Sequence, residues 1–366
     1  MINEALLKNE EPAVYRLRSL YSGMGYMQYK MSKFEEYDLY VKNKDFLISD
    51  RVITFTDTNG KLLALKPDVT LSIINNLGKS IDGIHKMYYN ENVYRVSGAT
   101  GKFKEIMQTG LECIGAIGMY ETAEVLYLAL KSLESIDSNF RLEISHASLL
   151  EEILKCNFSD EKVISDVLEA IKIKSSGMVS ALLENVRITL NQAQLINILC
   201  AVYSDFSAFS DAIADFITSE DSKKLFDEFS AIVESVSNDG TKGKITVNFA
   251  LSSDAGYYSG IVFKGYINGI PTSVLSGGQY DKLMRKLGNQ GGAVGFAVYL
   301  DSFERFGAKA NEYDVDTVLL TDDTVSPAQI LAAAEEIRNE GKTVSVMKNL
   351  PSDLRYREVI KMEGAQ

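Results

Sequence analysis

The chain reads as an α+β protein: an antiparallel sheet flanked by helices, with a helical insertion at about 147–240 inside residues 1–310 and a small α/β unit at 311–366. Three observations carry this reading. Segments alternating with period two recur around 53–65, 103–115 and 244–300, and turn chemistry at Thr58-Asn59-Gly60 and Asn268-Gly269 joins apolar runs into antiparallel pairs. Between them, residues 147–235 repeat helical periods rich in Leu, Ile, Ala and Ser with few glycines. The last stretch runs strand, helix, strand, helix, the order of a parallel pair joined by a right-handed crossover.

Taken in order, residues 11–25 form an amphipathic helix in which Val14, Leu17, Leu20 and Tyr21 share a face and Gly23 with Gly25 ends it. A strand from Gly25 to about Phe34 follows. The hairpin at 52–68 delivers Asp68 and Thr70 to a strand end, where Pro67 fixes the backbone and Val69 to Leu77 begins a helix. Thr70 either caps that helix or bonds a ligand. Residues 119–135 are a strongly patterned helix with no obvious N-cap residue, and Phe140 to His146 alternates like a buried strand. His146, at its end, reads as structural or exposed rather than as a base. In the C-terminal unit, strands at 315–321 and 342–348 bracket a helix from Pro327 to Gly341, and a final helix is expected around Asp353–Met362.

Composition narrows the function. A chain of 366 residues with 46% hydrophobic content supports a substantial core. A formal net charge of −12 disfavours nucleic acid as the main partner, since gripping a polyanion calls for a basic footprint. Cys113, Cys156 and Cys200 form no disulfide or metal pattern, and with only His85 and His146 besides, no metal or cofactor is expected. The N-terminus lacks a basic start followed by an apolar core, and no stretch approaches 18 uninterrupted apolar residues. The expectation is a cytoplasmic protein without membrane contact.

The strand at 103–115 has an unusual face. Alternation sends Ile106, Gln108, Gly110, Glu112 and Ile114 to one side and Met107, Thr109, Leu111 and Cys113 to the other. An amide and a carboxylate thus stand about 13 Å apart along the strand, with a glycine between them where side-chain bulk is missing. A small polar ligand lying over Gly110 reaches both; a solvated strand face is the alternative.

Two motifs weigh on that choice. Leu63-Ala64-Leu65-Lys66-Pro67-Asp68-Val69-Thr70 resembles the L-A-L-R-P-E-x-T box of class II histidyl-tRNA synthetases. Tyr94-Arg95, followed by residues 101–108 (GKFKEIMQ), resembles their motif 2, R…G-R-x-R-E-F-x-Q. The resemblance runs in order through about residues 10–310. It implies a class II synthetase-like sheet and a histidine-type pocket built from Asp68, Thr70, Arg95, Gln108, Glu112, Tyr257 and Tyr258. It also implies a homodimer through the motif 1 strand at Gly25–Phe34, where Ser32 replaces the usual proline, and likens residues 315–366 to the beginning of an anticodon-binding domain.

The departures matter more. Adenylation brings two anions together and depends on arginines fixed around them. Arg95 is present, but the other two, the arginine expected before G-L-D-Y-Y and that of motif 3, are Ser253 and Ser302; separately, the arginine of G-G-R-Y-D is Gln279. Arg305 lies a helical turn beyond Ser302, about 5.4 Å along the axis and too far to substitute. Recognition groups kept and catalytic arginines lost resemble the family's non-catalytic paralogue, the ATP phosphoribosyltransferase regulatory subunit. That resemblance implies a hetero-oligomer with a short-form catalytic ATP phosphoribosyltransferase subunit, and histidine as effector in histidine biosynthesis. An active histidine–tRNA ligase and a free-standing amino-acid-binding paralogue are the competing readings.

Overall fold

The computed structural model describes residues 11–43, 51–78, 82–96, 100–185, 187–238, 240–241, 243–252, 258–303 and 312–362. The chain divides into two compact units, Met1–Phe306 and Gly307–Gln366.

The larger unit is built on a nine-stranded sheet. Its spatial order is β1 (Met27–Gln28), β5 (Ile84–Val96), β6 (Phe103–Gly115), β12 (Gly292–Tyr299), β11 (Leu275–Gln279), β10 (Ile261–Ile267), β7 (Phe140–His146), β9 (Ile245–Asn248) and β8 (Val202–Tyr203). Pairing is antiparallel from β5 through β7 and between β9 and β8, and parallel for β1 with β5 and for β7 with β9. β2 (Phe34–Glu36), β3 (Thr54–Thr56) and β4 (Leu62–Leu65) form a second, small antiparallel sheet closed by the Asn59-Gly60 turn, where Gly60 has φ +80°.

Strand alternation sends the two faces of the main sheet into different cores. Leu111 and Cys113 of β6 and Tyr88 of β5 pack with α1 (Glu11–Gly23) and α4 (Met119–Ile136). Met87, Tyr89, Val93 and Ile114 point the other way, toward α2 (Tyr37–Val41), α3 (Val69–Leu77) and α11 (Asp281–Lys286). In α4, Val125, Ala129 and Leu133 repeat at i, i+4, with Leu126 and Leu130 beside them, and all five are buried. Burying each leucine there is worth about 1.5–3 kcal/mol. The helix start that lacked an obvious cap residue is held by Glu121, whose carboxylate accepts the Gly118 N–H at 2.8 Å.

The insertion contains α5 (Ala147–Asn157), α6 (Glu161–Ile173), α7 (Ser176–Glu184), α8 (Leu190–Cys200), α9 (Phe206–Ile213) and α10 (Glu220–Val236). Asp160, Ser175, Thr189, Asp205 and Ser219 cap five of these helices by accepting a backbone N–H. It is not wholly helical: Val202–Tyr203 returns to pair with β9 at the sheet edge.

Two other expectations are corrected. The strand expected over Gly25 to Phe34 is split. Met27–Gln28 lies parallel to β5, whereas Phe34–Glu36 crosses to the small sheet and pairs with β4. The C-terminal unit ends in a strand, β15 (Tyr356–Lys361), and not in a helix. β13 (Val315–Leu320) lies between β14 (Val344–Met347) and β15, parallel to both, and α12 (Pro327–Asn339) makes the crossover between β13 and β14. Pairing with an open edge of β13, helped by Thr317 Oγ1 bonding Glu358 Oε1 at 2.9 Å, overrides the weak local helical pattern.

Candidate functional site

The site lies on the α3 side of the main sheet, where β5, β6, β12 and β11 meet. The turn after β4 ends in Asp68, extended at φ −147° and ψ 138°, which caps α3 by accepting the Leu71 N–H on Oδ1 at 2.8 Å. Its Oδ2 meets Arg95 Nη2 at 3.2 Å, while Arg95 Nε donates to the Pro67 carbonyl at 2.6 Å. Asp68 capping α3 resolves the role of Thr70. Its hydroxyl instead donates to Glu112 Oε1 at 2.6 Å.

Glu112 is fully buried, and its other oxygen accepts a hydrogen bond from the Tyr280 hydroxyl. Burial pushes its carboxyl up to about 8, against the pull of the Thr70 and Tyr280 hydroxyls and with a small push from Asp68. An ordinary acid is thus held largely protonated near neutral pH. Desolvation likewise raises Tyr89, Tyr258 and Tyr299, all within electrostatic reach of Asp68. Ser276 pulls both Tyr258 and Tyr299 back down, and Arg95 does the same for Tyr299.

Three glycines make this packing possible by leaving out a side chain. A Cβ on Gly110 would sit 2.5 Å from the Tyr89 hydroxyl, one on Gly278 2.6 Å from Cδ1 of Tyr258, and one on Gly295 2.7 Å from Cδ of Glu112. The gap above Gly110 is therefore filled by Tyr89, and the expected ligand position directly over that glycine is corrected. Gln108, on the same face two residues before Gly110, is 2% exposed, and its Nε2 finds no acceptor. A buried donor without a partner carries a penalty of about 1–3 kcal/mol that a ligand acceptor removes.

The structure thus brings together Asp68, Thr70, Arg95, Gln108, Glu112 and Tyr258 from four separate segments. Tyr257, Ser253 and Arg305 lie outside the described residues. Sequence reading missed Tyr280, Tyr89 and Tyr299. Tyr280 directly follows the Gly277-Gly278-Gln279 run, and its position beside that glycine pair is the signal that was there to be read. Gln279 Nε2 donates to Asp281 Oδ2 at 2.8 Å, and Ser302 sits half-buried in the single turn Leu300–Phe303. Lys104 is ion-paired to Asp301 beside it. His146 is buried, accepts the Leu149 N–H on Nδ1 at 3.1 Å to cap α5, and is pushed down to about 4 by desolvation, which makes it a structural residue. Among the described residues no group of His, Cys, Asp and Glu is arranged to hold a metal, and no helix is long and apolar enough to cross a membrane.

The chain is similar to known proteins in sequence and in fold. The sequence model of the family described as Histidyl-tRNA synthetase matches residues 2–303. The ATP phosphoribosyltransferase regulatory subunit of Clostridium novyi (strain NT) is 26% identical over 311 residues, which cover 82% of this chain and 74% of that one. A crystal structure of an ATP phosphoribosyltransferase regulatory subunit/histidyl-tRNA synthetase from Bacillus halodurans aligns with a TM-score of 0.76 at 22% identity, over 98% of this chain and 95% of that one. A chain of the ATP phosphoribosyl transferase (HisG:HisZ) complex from Thermotoga maritima aligns with a TM-score of 0.63 at 19% identity, over 80% and 97%. At these identities the two structures speak for a shared fold, the class II synthetase-like sheet flanked by helices.

Proposed function

The chain belongs to the histidyl-tRNA synthetase family, and from that premise we propose that it is a non-catalytic regulatory subunit that binds and activates a short-form ATP phosphoribosyltransferase and takes part in histidine feedback inhibition. One observation carries the reading. Buried Asp68, Gln108 and Glu112 lie on one face of the sheet with half-buried Thr70 and Tyr258, a set suited to an amino acid, while the cationic side of an adenylation site is thin. Arg95 is engaged by Asp68 and the Pro67 carbonyl, and the positions aligned with the other two arginines hold Ser253 and Ser302. Losing one preorganised donor lowers a rate by about 10²–10³, so two such losses leave no useful adenylation. Relatives bearing the regulatory-subunit name, and a fold neighbour taken from an ATP phosphoribosyl transferase complex, support the same reading.

Regulation requires that histidine prefer one arrangement of the complex, and a coupling of about 1–3 kcal/mol suffices for clear inhibition. The test is co-purification with a short-form catalytic subunit, followed by phosphoribosyltransferase assays with and without this chain and with added histidine. Activation that histidine reverses supports the proposal. A chain that binds histidine but neither captures nor activates the enzyme is a free-standing amino-acid-binding paralogue instead. The family match itself favours a second reading, an active histidine–tRNA ligase, which predicts histidine-dependent exchange of pyrophosphate into ATP.

A further inference from the structure

The insertion holds a cavity of about 710 Å³ between α9, α10 and β9, within the roughly 300–1,000 Å³ common for small-molecule sites. Its floor is apolar: Phe206, Val233, Ile245 and Val247. The hydroxyls of Ser204, Ser207, Ser210 and Ser230 also line it, and none of them makes a hydrogen bond among the described residues. Register partners across the main sheet run from Val247 through Ile144, Phe263, Gly277 and Phe296 to Leu111. Leu111 alternates with Glu112, so the cavity and the Glu112 pocket lie on opposite sides of the sheet.

Charge decides what this cavity can hold. A helix N-terminus such as that of α9 ordinarily draws an anion. Asp205 already occupies it, accepting the Ser207 N–H on Oδ1 at 3.1 Å, so that wall presents a carboxylate instead. The opposite wall is the end of α10, where the aligned peptide dipoles of 17 residues leave partial negative charge and the last turn has no basic residue. That turn carries Glu234, a placement the dipole disfavours. Among the described residues neither Asp205 nor Glu234 has an ion-pair partner, and no lysine or arginine lines the cavity. The stretch from Ala201 to Asn238 holds eight acidic residues against two basic ones, of which Lys223 is paired with Glu220.

We propose that this cavity binds a small organic amine, with a primary ammonium between Asp205 and Glu234 and an apolar body on Phe206, Val233, Ile245 and Val247. The ammonium offsets both carboxylates and the negative end of α10 at once. It brings three N–H donors, and the serine hydroxyls accept what the carboxylates leave. No covalent bond is made or broken.

The experiment is calorimetric titration of the full chain at neutral pH with 2-phenylethylamine. Comparators are 2-phenylethanol and 3-phenylpropionate, which keep the ring and replace the ammonium by a hydroxyl and by a carboxylate. The amine should bind saturably and about tenfold or more tighter than the alcohol, the usual gain from a charge-assisted hydrogen bond. The carboxylate should not bind. Glu234→Gln and Asp205→Asn keep side-chain shape, and the latter keeps a capping acceptor. Each should weaken the amine about tenfold and leave the alcohol unchanged. Asp215→Asn, which removes an equal charge from the same segment outside the cavity lining, should change nothing. Equal binding of amine and alcohol overturns the proposal, as does the absence of saturable binding. An amine affinity that Glu234→Gln and Asp205→Asn both leave intact places the ligand elsewhere, the Glu112 pocket included, and overturns it too. Glu234 is exposed and bonds nothing through its side chain among the described residues, so its variant keeps the fold and decides the matter even if another does not.

Discussion

Gly295→Ala is the sharpest geometric test of the pocket. The added methyl would overlap Oε2 of Glu112, sit 2.7 Å from Cδ of that carboxyl and 2.5 Å from the Leu111 carbonyl oxygen. The Leu111 contact is backbone of the paired strand β6 and cannot swing away, so Glu112 must move. Overpacking of this kind costs about 1–3 kcal/mol. Displacing Glu112 also breaks its bonds from Thr70 and Tyr280, worth about 1 kcal/mol each. A combined loss of about 3–5 kcal/mol is expected by urea denaturation, with histidine binding abolished in the fraction that remains folded. Gly177→Ala is the control. The methyl there would have only Ser175 Oγ at 3.8 Å for a neighbour, and the position lies in the first turn of α7, so stability should hold or rise by up to about 1 kcal/mol. A Gly295→Ala chain as stable as the parent, with histidine affinity intact, would refute the packing of Glu112 against β12.

The purified chain should show no histidine-dependent pyrophosphate exchange with ATP, because Ser253 and Ser302 occupy the aligned arginine positions; exchange at a synthetase-like rate ends the regulatory reading. Sedimentation should give at least a dimer, since the short β1 leaves an edge that needs cover, and a clean monomer at micromolar concentration counts against it. His146 is held neutral in the fold, with its pKa pushed down to about 4 from an unfolded value near 6.5, so its contribution is fully present above about pH 6.5 and is lost as pH falls toward 4. The slope is at most about 1.4 kcal/mol per pH unit. His146→Asn, which keeps an N-cap acceptor, should remove that part of the acid loss in melting curves between pH 7 and 5; an unchanged profile would assign it elsewhere.

Much of the frame was legible because its signals are local. The Asn59-Gly60 turn, the period-two run through Gln108 and Glu112, and the i, i+4 repeat in α4 each specify their element with little help from the rest of the chain. What was not legible depended on partners distant in sequence. Tyr356–Lys361 becomes a strand because β13 has a free edge, and Phe34–Glu36 leaves the main sheet because β4 offers a partner there. The resemblance drew attention to the strand end at Asp68 and the strand face at Gln108 and Glu112, and the structure does gather those residues. It did not disclose that Tyr89 fills the space over Gly110 or that Tyr280 reaches Glu112, since both contacts depend on which glycines face which side chains across the sheet.

The same glycines decide which side chains crowd this part of the sheet. Gly110, Gly278 and Gly295 admit Tyr89, Tyr258 and Glu112 in turn, so a carboxyl and two phenol groups are packed closely on this face of the sheet. Fixed cation is scarce there: Arg95, the pocket's arginine, bonds Asp68 and the end of the Pro67 turn, and pulling it toward a phosphate would leave the buried Asp68 carboxylate without a countercharge. In an adenylating enzyme an arginine must be free to follow developing negative charge. Here the arginine stabilises the start of α3 and thereby the placement of Thr70, whose hydroxyl orients Glu112. Arg95 is thus a positioning residue, two hydrogen bonds removed from the Glu112 carboxyl, and under the proposed regulatory reading that arrangement serves recognition of an amino acid and not its activation.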